Sequence, residues 1–349
     1  MTQESTQERP LVTFALFAYN QEKYIREAIE GAFAQTYEPL EIILSDDCSE
    51  DRTFEIMKSM ASNYTGAHEI ILRRNSRNVG TVDHVIRVAR ECKGKLLIVA
   101  AGDDVSYSQR VERLVDEWVK ENYPEVIFSD ADVIDDGGKL IKGAEEYRPI
   151  QRDQDLFRGL ESPIRYNGLL RNVLGYSASY SKGFFSKLPL NGRNALNEDA
   201  LATYVANLSS DRIVYLSENL MSRRLSQTSV SPSSDYSNYQ EILRSELAAR
   251  QFAESKIVFY QYFCAVAAEL DTEDAYIVSS RLMNDCKKLE AKRDYCRYGF
   301  LVRFSYFLRA ILFRDGDFFY CLGRLFGPKV FSFGKFSAYA IRYRMLRKK

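Results

Sequence analysis

Four clusters of charged side chains in this sequence have residue types and spacings that could do chemistry. The first is Asp46-Asp47, followed closely by Ser49 and Asp51. Neighbouring carboxylates repel each other unless a cation or a hydrogen-bond donor lies between them, and a nucleobase or a ribose offers such donors. Ser49 or Asp51 could instead cap the helix predicted from Thr53. A cap accounts for one residue but leaves Asp46-Asp47 unexplained, so a nucleotide-binding role and a structural role both stay open.

The second cluster, Asp103-Asp104, directly follows a predicted buried strand. Two adjacent carboxylates are unfavourable in that place unless they bind a cation. Carboxylate oxygens suit Mg²⁺ or Mn²⁺, and either ion can also hold a diphosphate. The alternative is a solvated turn, because Gly102 followed by two aspartates is good turn chemistry. As an isolated dipeptide, this cluster is better explained by the turn.

The third cluster is Glu198-Asp199 and the fourth is Arg223-Arg224. Carboxylates at a helix start are stabilised by the helix dipole, which is a sufficient structural explanation for the third cluster. Its functional interpretation is a general base that takes a proton from a hydroxyl nucleophile. The paired arginines lie beside hydroxyl residues and could grip phosphate oxygens. An ordinary charged surface explains the arginines equally well.

The elements that must position these clusters alternate between strands and helices. Short apolar runs predict strands, and apolar residues at helical spacing predict helices. The predicted strands are 11–18, 40–44, 69–73, 96–101 and 126–128, and the predicted helices are 21–35, 53–60, 82–92, 111–121 and 200–206. Such alternation gives a parallel sheet with right-handed crossovers, in which ligands bind beyond the carboxyl ends of the strands. The first two clusters both fall at such ends.

The later part of the chain has a different pattern. Asp136-Gly137-Gly138 predicts a tight turn, and the polar, irregular segment 143–172 is a candidate substrate loop. Amphipathic patterns over 239–270 and 274–295 predict two helices.

Composition restricts the class of protein. The 349 residues carry no formal net charge and are 46% hydrophobic, which excludes a mostly disordered, collagen-like or coiled-coil chain and indicates no nucleic-acid partner. The six cysteines form no CxxC pair and there are only two histidines, so we expect reduced thiols in a cytosolic protein rather than a zinc site. The polar N-terminus predicts no signal peptide, and no apolar run is long enough to predict a transmembrane helix.

The basic, aromatic tail, residues 295–349, is the exception to this neutral balance. It carries 12 Lys and Arg against 2 Asp and Glu, and it holds 16 of the 45 aromatic residues. Apolar residues between regularly placed cations are typical of helices that lie in a membrane interface. We therefore expect the tail to bind an anionic membrane surface; the alternative is that its aromatic residues pack on the rest of the chain.

The order and spacing of the clusters resemble those of the family 2 glycosyltransferases of the GT-A fold, which are common in bacterial polysaccharide assembly of the O-antigen type. The segments 11–20 and 32–53 resemble that family's first strand with its closing Asn and its Asp-Asp-Gly-Ser-x-Asp-x-Thr motif, with Cys48 in place of the usual Gly. Further matches, which extend the resemblance over roughly residues 9–232, are Asn75, Asn78-Val79-Gly80, Gly102-Asp103-Asp104, Glu198-Asp199 and Arg223-Arg224-Leu225, with Ser226 where the family has His.

The resemblance implies a reaction and a set of residues. It implies inverting transfer of a sugar from a nucleoside diphosphate sugar to a hydroxyl, with Asp199 of the Glu198-Asp199 pair as the base. It also implies a Mn²⁺ or Mg²⁺ ion held by Asp104 and Asp103. The residues implied to bind the nucleotide sugar are Asn20, Asp46, Asp47, Arg77 and Asp103, and possible diphosphate contacts are Arg223 and Arg224.

The resemblance also implies an α/β GT-A fold, a Rossmann-like mixed sheet flanked by helices, with a helical C-terminal extension. We therefore expect a catalytic domain over 9–235, a helical region over 236–294 and the tail over 295–349. A polyprenyl-diphosphate-linked saccharide is the expected acceptor, met at the cytoplasmic face of the membrane. The alternatives are a nucleotidyltransferase, whose glycine-rich loop is not found after the first strand, and a non-catalytic carbohydrate-binding protein.

Overall fold

The computed structural model describes most of the chain up to residue 295. The described residues are 9–141, 165–166, 169–170, 172–186, 188–190, 198–208, 212–225, 254, 257–270 and 272–295. Most of the candidate substrate loop, the predicted domain boundary at 235 and the tail beyond Tyr295 lie outside them.

The fold is α/β with a mixed sheet of eight strands and a separate two-stranded hairpin. The sheet strands are β1 (Val12–Ala18), β2 (Leu40–Asp46), β3 (Glu69–Arg74), β4 (Leu96–Ala101), β5 (Val105–Ser106), β6 (Val126–Ile134), β9 (Ala178–Ser181) and β10 (Ile213–Arg224), and the hairpin strands are β7 (Arg165–Tyr166) and β8 (Leu169–Leu170). Their order in the sheet is β3-β2-β1-β4-β9-β6-β10-β5. Strands β1 to β4 are parallel, β9 runs antiparallel between β4 and β6, and β5 pairs antiparallel with β10.

The helices follow the sequence pattern closely. They are α1 (Ile25–Phe33), α2 (Thr53–Ser62), α3 (Thr81–Glu91), α4 (Arg110–Lys120), α5 (Glu198–Leu208) and α6 (Glu273–Tyr295), and residues 257–270 are also helical. Each of α1 to α4 therefore lies within a few residues of its predicted bounds.

The hydrophobic core lies along the parallel strands. Every residue of β2 is buried, and on β1 only Phe17 is partly exposed. Strands buried on both faces read as continuous apolar runs rather than as alternating patterns, because helices cover the sheet on both sides. The buried face of α1 packs into the same core cluster as β1, β2 and β4. The ends of these strands are therefore fixed in place by packing.

The structure corrects the sequence prediction at β6. We expected this strand to end at Phe128 because polar residues follow, but it continues to Ile134. Two tyrosine hydroxyls satisfy its acidic residues: Tyr215 donates to Asp130 and Tyr107 donates to Asp132. Pairing with the long strand β10 supplies the backbone partners.

The chain separates into two compact units. One comprises residues 1–227 and 262–279, and the other comprises residues 228–261 and 280–349. All of the candidate site described below belongs to the first unit. Within the described residues, the helices are too short or too polar to cross a bilayer.

Candidate active site

The ends of β1, β2 and β4 meet at one edge of the sheet. In the strand register, Ala18 of β1 lies opposite Asp46 of β2, and Phe17 lies opposite Ala101 of β4. The loops that follow these strands carry Asn20, Asp47 and Asp103. The topology thus places the first two sequence clusters at the same edge, as predicted.

Asp47 fixes the loop that leads from β3 into α3. Its Oδ1 accepts hydrogen bonds from Asn75 Nδ2 at 2.8 Å and from the backbone N–H of Val79 at 3.0 Å, and its Oδ2 accepts one from Gly80 N at 3.0 Å. Gly80 has a φ of 82°, which an L side chain rarely adopts. The carboxylate is 3% exposed and closely tied to the protein.

Asp46 is equally well satisfied. It is fully buried and accepts hydrogen bonds from both the backbone N–H and the hydroxyl of Ser49. The Arg74 guanidinium completes its surroundings with an ion pair at 3.0 Å. Asp46 thereby holds the turn after β2 and pins it to the end of β3.

Asn20 joins the loop after β1 to the loop after β2. Its backbone N–H donates to Ser49 Oγ at 2.9 Å, and its Oδ1 accepts from the backbone N–H of Glu50 at 2.8 Å. Asn20 and Cys48 both have positive φ, 53° and 64°. Asparagine tolerates this conformation, whereas a cysteine is strained in it. Asn20 is thus a loop connector in this structure.

The end of β4 has a different environment. A Cβ at Gly102 would lie 2.5 Å from Gln21 Oε1 and 3.0 Å from Ile25 Cδ1 of α1, so a larger residue there would require these side chains to shift. Asp104 is buried, and its Oδ1 accepts a hydrogen bond from the backbone N–H of Arg224 at 2.8 Å. Burial, followed by repulsion from Asp103, raises the pKa of Asp104 to about 7. Burial also raises the pKa of Asp103.

Arg110 lies fully buried near this acidic pair. Its guanidinium donates to Ser106 Oγ at 2.9 Å and to the carbonyl oxygens of Val99 at 2.8 Å and Tyr176 at 3.4 Å. Burial lowers the pKa of Arg110 to about 10, against the opposing effect of Asp104. The residue thus holds the end of β4 and supplies positive charge behind its carboxylates.

The two arginines that close β10 have different surroundings. Arg224 has a side chain that is 1% exposed and donates to the carbonyl oxygens of Asp103 and Asp135 and to the carboxylate of Glu27. Arg223 lies over the ring of Tyr176 at 4.8 Å and is partly exposed. Of the two, Arg223 is therefore better placed to meet a ligand.

A cavity of about 210 Å³ opens at this edge. Its lining includes Tyr19, Tyr176, Asp47 and His84, together with residues from the ends of β1 and β4. Tyr19 is 44% exposed at its mouth. Aromatic faces beside a few polar groups are typical of small-molecule sites.

A larger cavity, about 820 Å³, lies at the opposite edge of the parallel strands. It is lined in part by Arg9 and Lys95, which precede β1 and β4. Of the acidic residues that line it, Glu112 is paired with Arg9. Neither of the two aspartate pairs lines this cavity. We therefore place the candidate active site at the carboxyl edge in spite of the smaller volume.

The donor set at the end of β4 suits a hard cation. Within the described residues, no group of three or more Asp, Glu, His or Cys side chains is placed to hold a metal. Mg²⁺ in nucleotide sites is commonly held by one or two carboxylates, with substrate phosphates and water as further ligands. Asp103 and Asp104 fit that donor set, and a cation would relieve the repulsion that raises the pKa of Asp104.

The remaining predicted site residues lie on α5 and on the loop between β3 and α3. Glu198 and Asp199 begin α5 as expected, and the carbonyl oxygen of Asp199 accepts a hydrogen bond from Thr203 Oγ1 at 2.7 Å. Asp199 is partly exposed. Arg77 is exposed on the loop between β3 and α3. Their roles stay predictions.

Four residues of the site were not found by sequence reasoning. They are Tyr19, Tyr176, His84 and Arg110. Tyr19 directly follows β1, so its place after a parallel strand was an available signal. His84 and Arg110 lie on helices with apolar faces, where nothing local distinguishes a cavity residue from a core residue.

Comparison with known proteins finds related sequences for part of the chain. Residues 13–184 match the family described as Glycosyl transferase family 2. EpsE of Bacillus subtilis, named as a glycosyltransferase, is 31% identical over 136 residues, which cover 39% of this chain and 47% of that protein. Chondroitin synthase of Escherichia coli is 27% identical over 145 residues, which cover 42% of this chain and 21% of that protein. The chain thus spans less than half the length of either relative.

A solved structure shares the fold. The crystal structure of TarS 1–349 from S. aureus has a TM-score of 0.50 and 17% sequence identity, and the match covers 82% of this chain and 74% of that chain. The likeness shows a GT-A fold, as the sequence predicted.

Proposed function

We propose that this protein, whose residues 13–184 match glycosyl transferase family 2, transfers a sugar from a nucleoside diphosphate sugar to a hydroxyl group of an acceptor. The observation that carries the proposal is the pairing of two features at one sheet edge. A cavity lined in part by Tyr19 and Tyr176 reaches Ala101 at the end of β4, and Asp103-Asp104, a carboxylate pair whose pKa values are raised by burial, follows Ala101 after one residue. Such a pair favours a cation, and the cavity suits the nucleoside half of the donor.

Donor binding follows from this arrangement. Tyr19 and Tyr176 line the cavity and would offer their rings to a base, and Asp103, two residues after Ala101 in that lining, would meet the ribose or a metal ion. Arg223 is the better candidate for the diphosphate, because it is partly exposed, whereas the side chain of Arg224 is 1% exposed. The predicted direct contacts of Asn20, Asp46, Asp47 and Arg77 belong to the same proposal.

Asp103 and Asp104 would hold Mn²⁺ or Mg²⁺ together with the diphosphate. Bound there, the ion would neutralise charge that develops on the departing diphosphate. The protein contributes the fixed positions of both carboxylates: Arg224 N binds Asp104, and Arg110 holds the end of β4. These contacts keep the ligand oxygens in place before the donor arrives.

The transfer itself is proposed to be a single in-line displacement with inversion. The acceptor oxygen attacks the anomeric carbon, the bond from that carbon to the diphosphate oxygen breaks, and the acceptor proton passes to Asp199. Asp199 is partly exposed at the start of α5, as a base that meets an acceptor should be. Glu198 is its partner in the pair. No covalent enzyme intermediate is required.

We further propose that the acceptor is a saccharide linked to polyprenyl diphosphate, in surface polysaccharide synthesis at the cytoplasmic face of the membrane. The support is the composition of the tail, residues 295–349, with 12 cations and 16 aromatic residues. Basic residues would bind anionic headgroups, and aromatic residues would enter the interface.

A screen of nucleoside diphosphate sugars for hydrolysis and transfer, with Mn²⁺, Mg²⁺ or chelator, tests the reaction. Asp199→Asn should keep donor affinity and lose transfer by about 10²- to 10⁴-fold or more, because only acceptor activation needs the base. A larger loss in Glu198→Gln would assign the base to Glu198. Release of pyrophosphate from a nucleoside triphosphate would instead identify a nucleotidyltransferase, and saccharide binding without turnover a carbohydrate-binding protein.

Co-sedimentation of the full-length protein with vesicles tests the membrane proposal. Vesicles with anionic lipid should bind the protein, and high salt should weaken this binding without abolishing it, because aromatic insertion is insensitive to salt. Indifference to anionic vesicles at low salt would refute it.

A further inference from the structure

His84 is a buried polar side chain at the cavity that the proposed mechanism leaves unused. It lies in the first turn of α3, is 3% exposed and contributes to the cavity lining. Its ring meets the edge of Phe17 at a centroid distance of 4.9 Å. Its Nε2 lies at 2.5 Å from Ser45 Oγ on β2. The ring is therefore held on two sides.

The contacts of Ser45 determine which ring nitrogen carries the proton. Arg73 Nη1 donates to Ser45 Oγ at 2.6 Å, so the serine hydroxyl hydrogen is left to bind another acceptor. His84 Nε2 is that acceptor when the proton of the neutral ring is on Nδ1. Arg73 is itself held by Glu91 and Asn75. The chain from Arg73 through Ser45 thus fixes His84 as the Nδ1–H tautomer.

The other ring nitrogen, Nδ1, makes no hydrogen bond within the described residues. It is not among the fully buried atoms that lack a partner, so it keeps some solvent access, and His84 lines the cavity. Burial, followed by the charges of Arg73 and Arg87, lowers the pKa of His84 to about 3, so the ring is neutral. A neutral donor therefore belongs to the same cavity as Asp47, whose Oδ2 accepts one hydrogen bond from the part of the chain that the structure describes.

We propose that His84 reads the nucleobase of the donor, with its Nδ1–H donating to a carbonyl oxygen or ring nitrogen on the base edge. The inference rests on the proposed function and adds a specificity-determining residue to it. Ser45 and Arg73 are positioning residues, which act through the tautomer of His84. The donor at Nδ1 and the spare acceptor at Asp47 together complement a base edge that presents one acceptor and one donor.

Two amide substitutions separate the two ends of the imidazole. His84→Asn places an amide near the position of Nδ1 and removes the contact with Ser45. His84→Gln reaches Ser45 but removes the donor from the cavity. Calorimetry with UDP and GDP in the presence of Mn²⁺ should show about tenfold weaker binding for His84→Gln, the equivalent of one net hydrogen bond. His84→Asn should lose clearly less affinity.

Inorganic pyrophosphate is the control ligand, because it has no base. Both variants should bind pyrophosphate as the unaltered protein does. Weaker nucleoside diphosphate binding by His84→Asn than by His84→Gln would show a structural role for His84 and overturn the proposal. An equal loss of pyrophosphate binding and of nucleoside diphosphate binding would do the same. If the unaltered protein bound no nucleoside diphosphate, the proposed function would fall, and this inference with it. If it bound them and both variants bound equally well, only the inference would fall.

NMR gives a readout that does not depend on the folding of variants. The chain has two histidines, so histidine-selective ¹⁵N labelling shows two imidazoles, and His84→Asn assigns them. We expect His84 to remain neutral with the proton on Nδ1 between about pH 5 and 8. The Nδ1–H signal should shift when UDP or GDP binds, and Ser45→Ala should allow the other tautomer to appear. A proton on Nε2 in the unaltered protein would overturn the proposal.

Discussion

Asp46-Asp47 and Asp103-Asp104 both close parallel strands of one sheet, with β1 between them, but their surroundings differ. The pair at β2 accepts hydrogen bonds from Ser49, Asn75, Val79 and Gly80. The pair at β4 accepts a backbone hydrogen bond from Arg224, and the pKa values of both carboxyls are raised.

This difference separates two uses of the same dipeptide. A buried carboxylate that accepts several hydrogen bonds is stable as an anion and organises the backbone around it. A buried carboxylate next to another one is destabilised as an anion until a proton or a cation joins it. Asp46 and Asp47 therefore organise the loops at this edge of the sheet, and Asp47 also lines the cavity, while the β4 pair is the one that we propose to bind a cation.

The largest expected effect is on catalysis by Asp104→Asn. The amide oxygen can still accept from Arg224 N, but the charge that holds the cation is gone. We expect a loss of metal-dependent turnover on the order of a thousandfold. Kinetics over a range of Mn²⁺ concentrations will measure it, once the donor sugar is identified.

The matched control is Asp47→Asn. In the fraction of this variant that remains folded, the dependence of turnover on Mn²⁺ concentration should be unchanged. A shifted metal dependence in Asp47→Asn, with none in Asp104→Asn, would reverse the comparison.

The second effect is on the free energy of unfolding. Here Asp47→Asn should be the more damaging of the two variants, and Asp104→Asn the less damaging. Asp47→Asn replaces one acceptor oxygen by a donor, so a backbone N–H of Val79 or Gly80 loses its partner. We expect a loss of about 2 to 4 kcal/mol in the free energy of unfolding. Asp104→Asn should leave the stability of the metal-free protein unchanged or raise it, because it removes a buried repulsion. Thermal unfolding followed by circular dichroism compares both variants.

Sequence reasoning found both pairs because a polar residue that directly follows an apolar run is a local signal for the end of a buried strand. The partners that distinguish the pairs are remote: Gly80 lies 33 residues from Asp47, and Arg224 lies 120 residues from Asp104. Nothing in a short window shows whether a carboxylate will be satisfied. The sequence therefore predicts where the aspartates lie but not which pair has its pKa values raised by burial.

The same limit explains the strands that sequence reasoning missed. Strand β10 has register shifts between Leu216 and Asn219 and between Asn219 and Ser222, which break the alternation expected of a strand. The short antiparallel strand β9 has only four residues and two serines. Parallel strands β1 to β4 were predicted well because burial on both faces gives them continuous apolar runs.

The third effect is the pH dependence of stability in the metal-free protein, which should have opposite signs at the two strand ends. Beside β2, the pKa of His84 is lowered from 6.5 to about 3, so below pH 6.5 only the unfolded chain gains the proton and stability falls with acidification. At β4, the pKa of Asp104 is raised from 3.8 to about 7, so stability falls as the pH rises between these values.

Chemical denaturation at several pH values measures these slopes, each of at most about 1.4 kcal/mol per pH unit. His84→Gln should remove the loss on acidification, and Asp104→Asn should remove the loss on alkalinisation. If the two substitutions changed the slope of stability against pH in the same direction relative to the unaltered protein, the assignment of these slopes to His84 and Asp104 would be wrong.

The smallest effect concerns the turn that carries the β2 pair. Cys48 has a φ of 64°, where an L residue is strained by its Cβ and glycine is not. Cys48→Gly removes this strain but gives the unfolded chain more freedom, so we expect a net stabilisation of less than about 1 kcal/mol. Cys48→Ala is the matched control, because it removes the thiol and keeps the Cβ, and it should not stabilise. Both variants lack the thiol, so a lower unfolding temperature in both would show that the thiol stabilises the turn. The shape of the turn would then depend on side-chain packing of Cys48 rather than on Asp46 and Ser49.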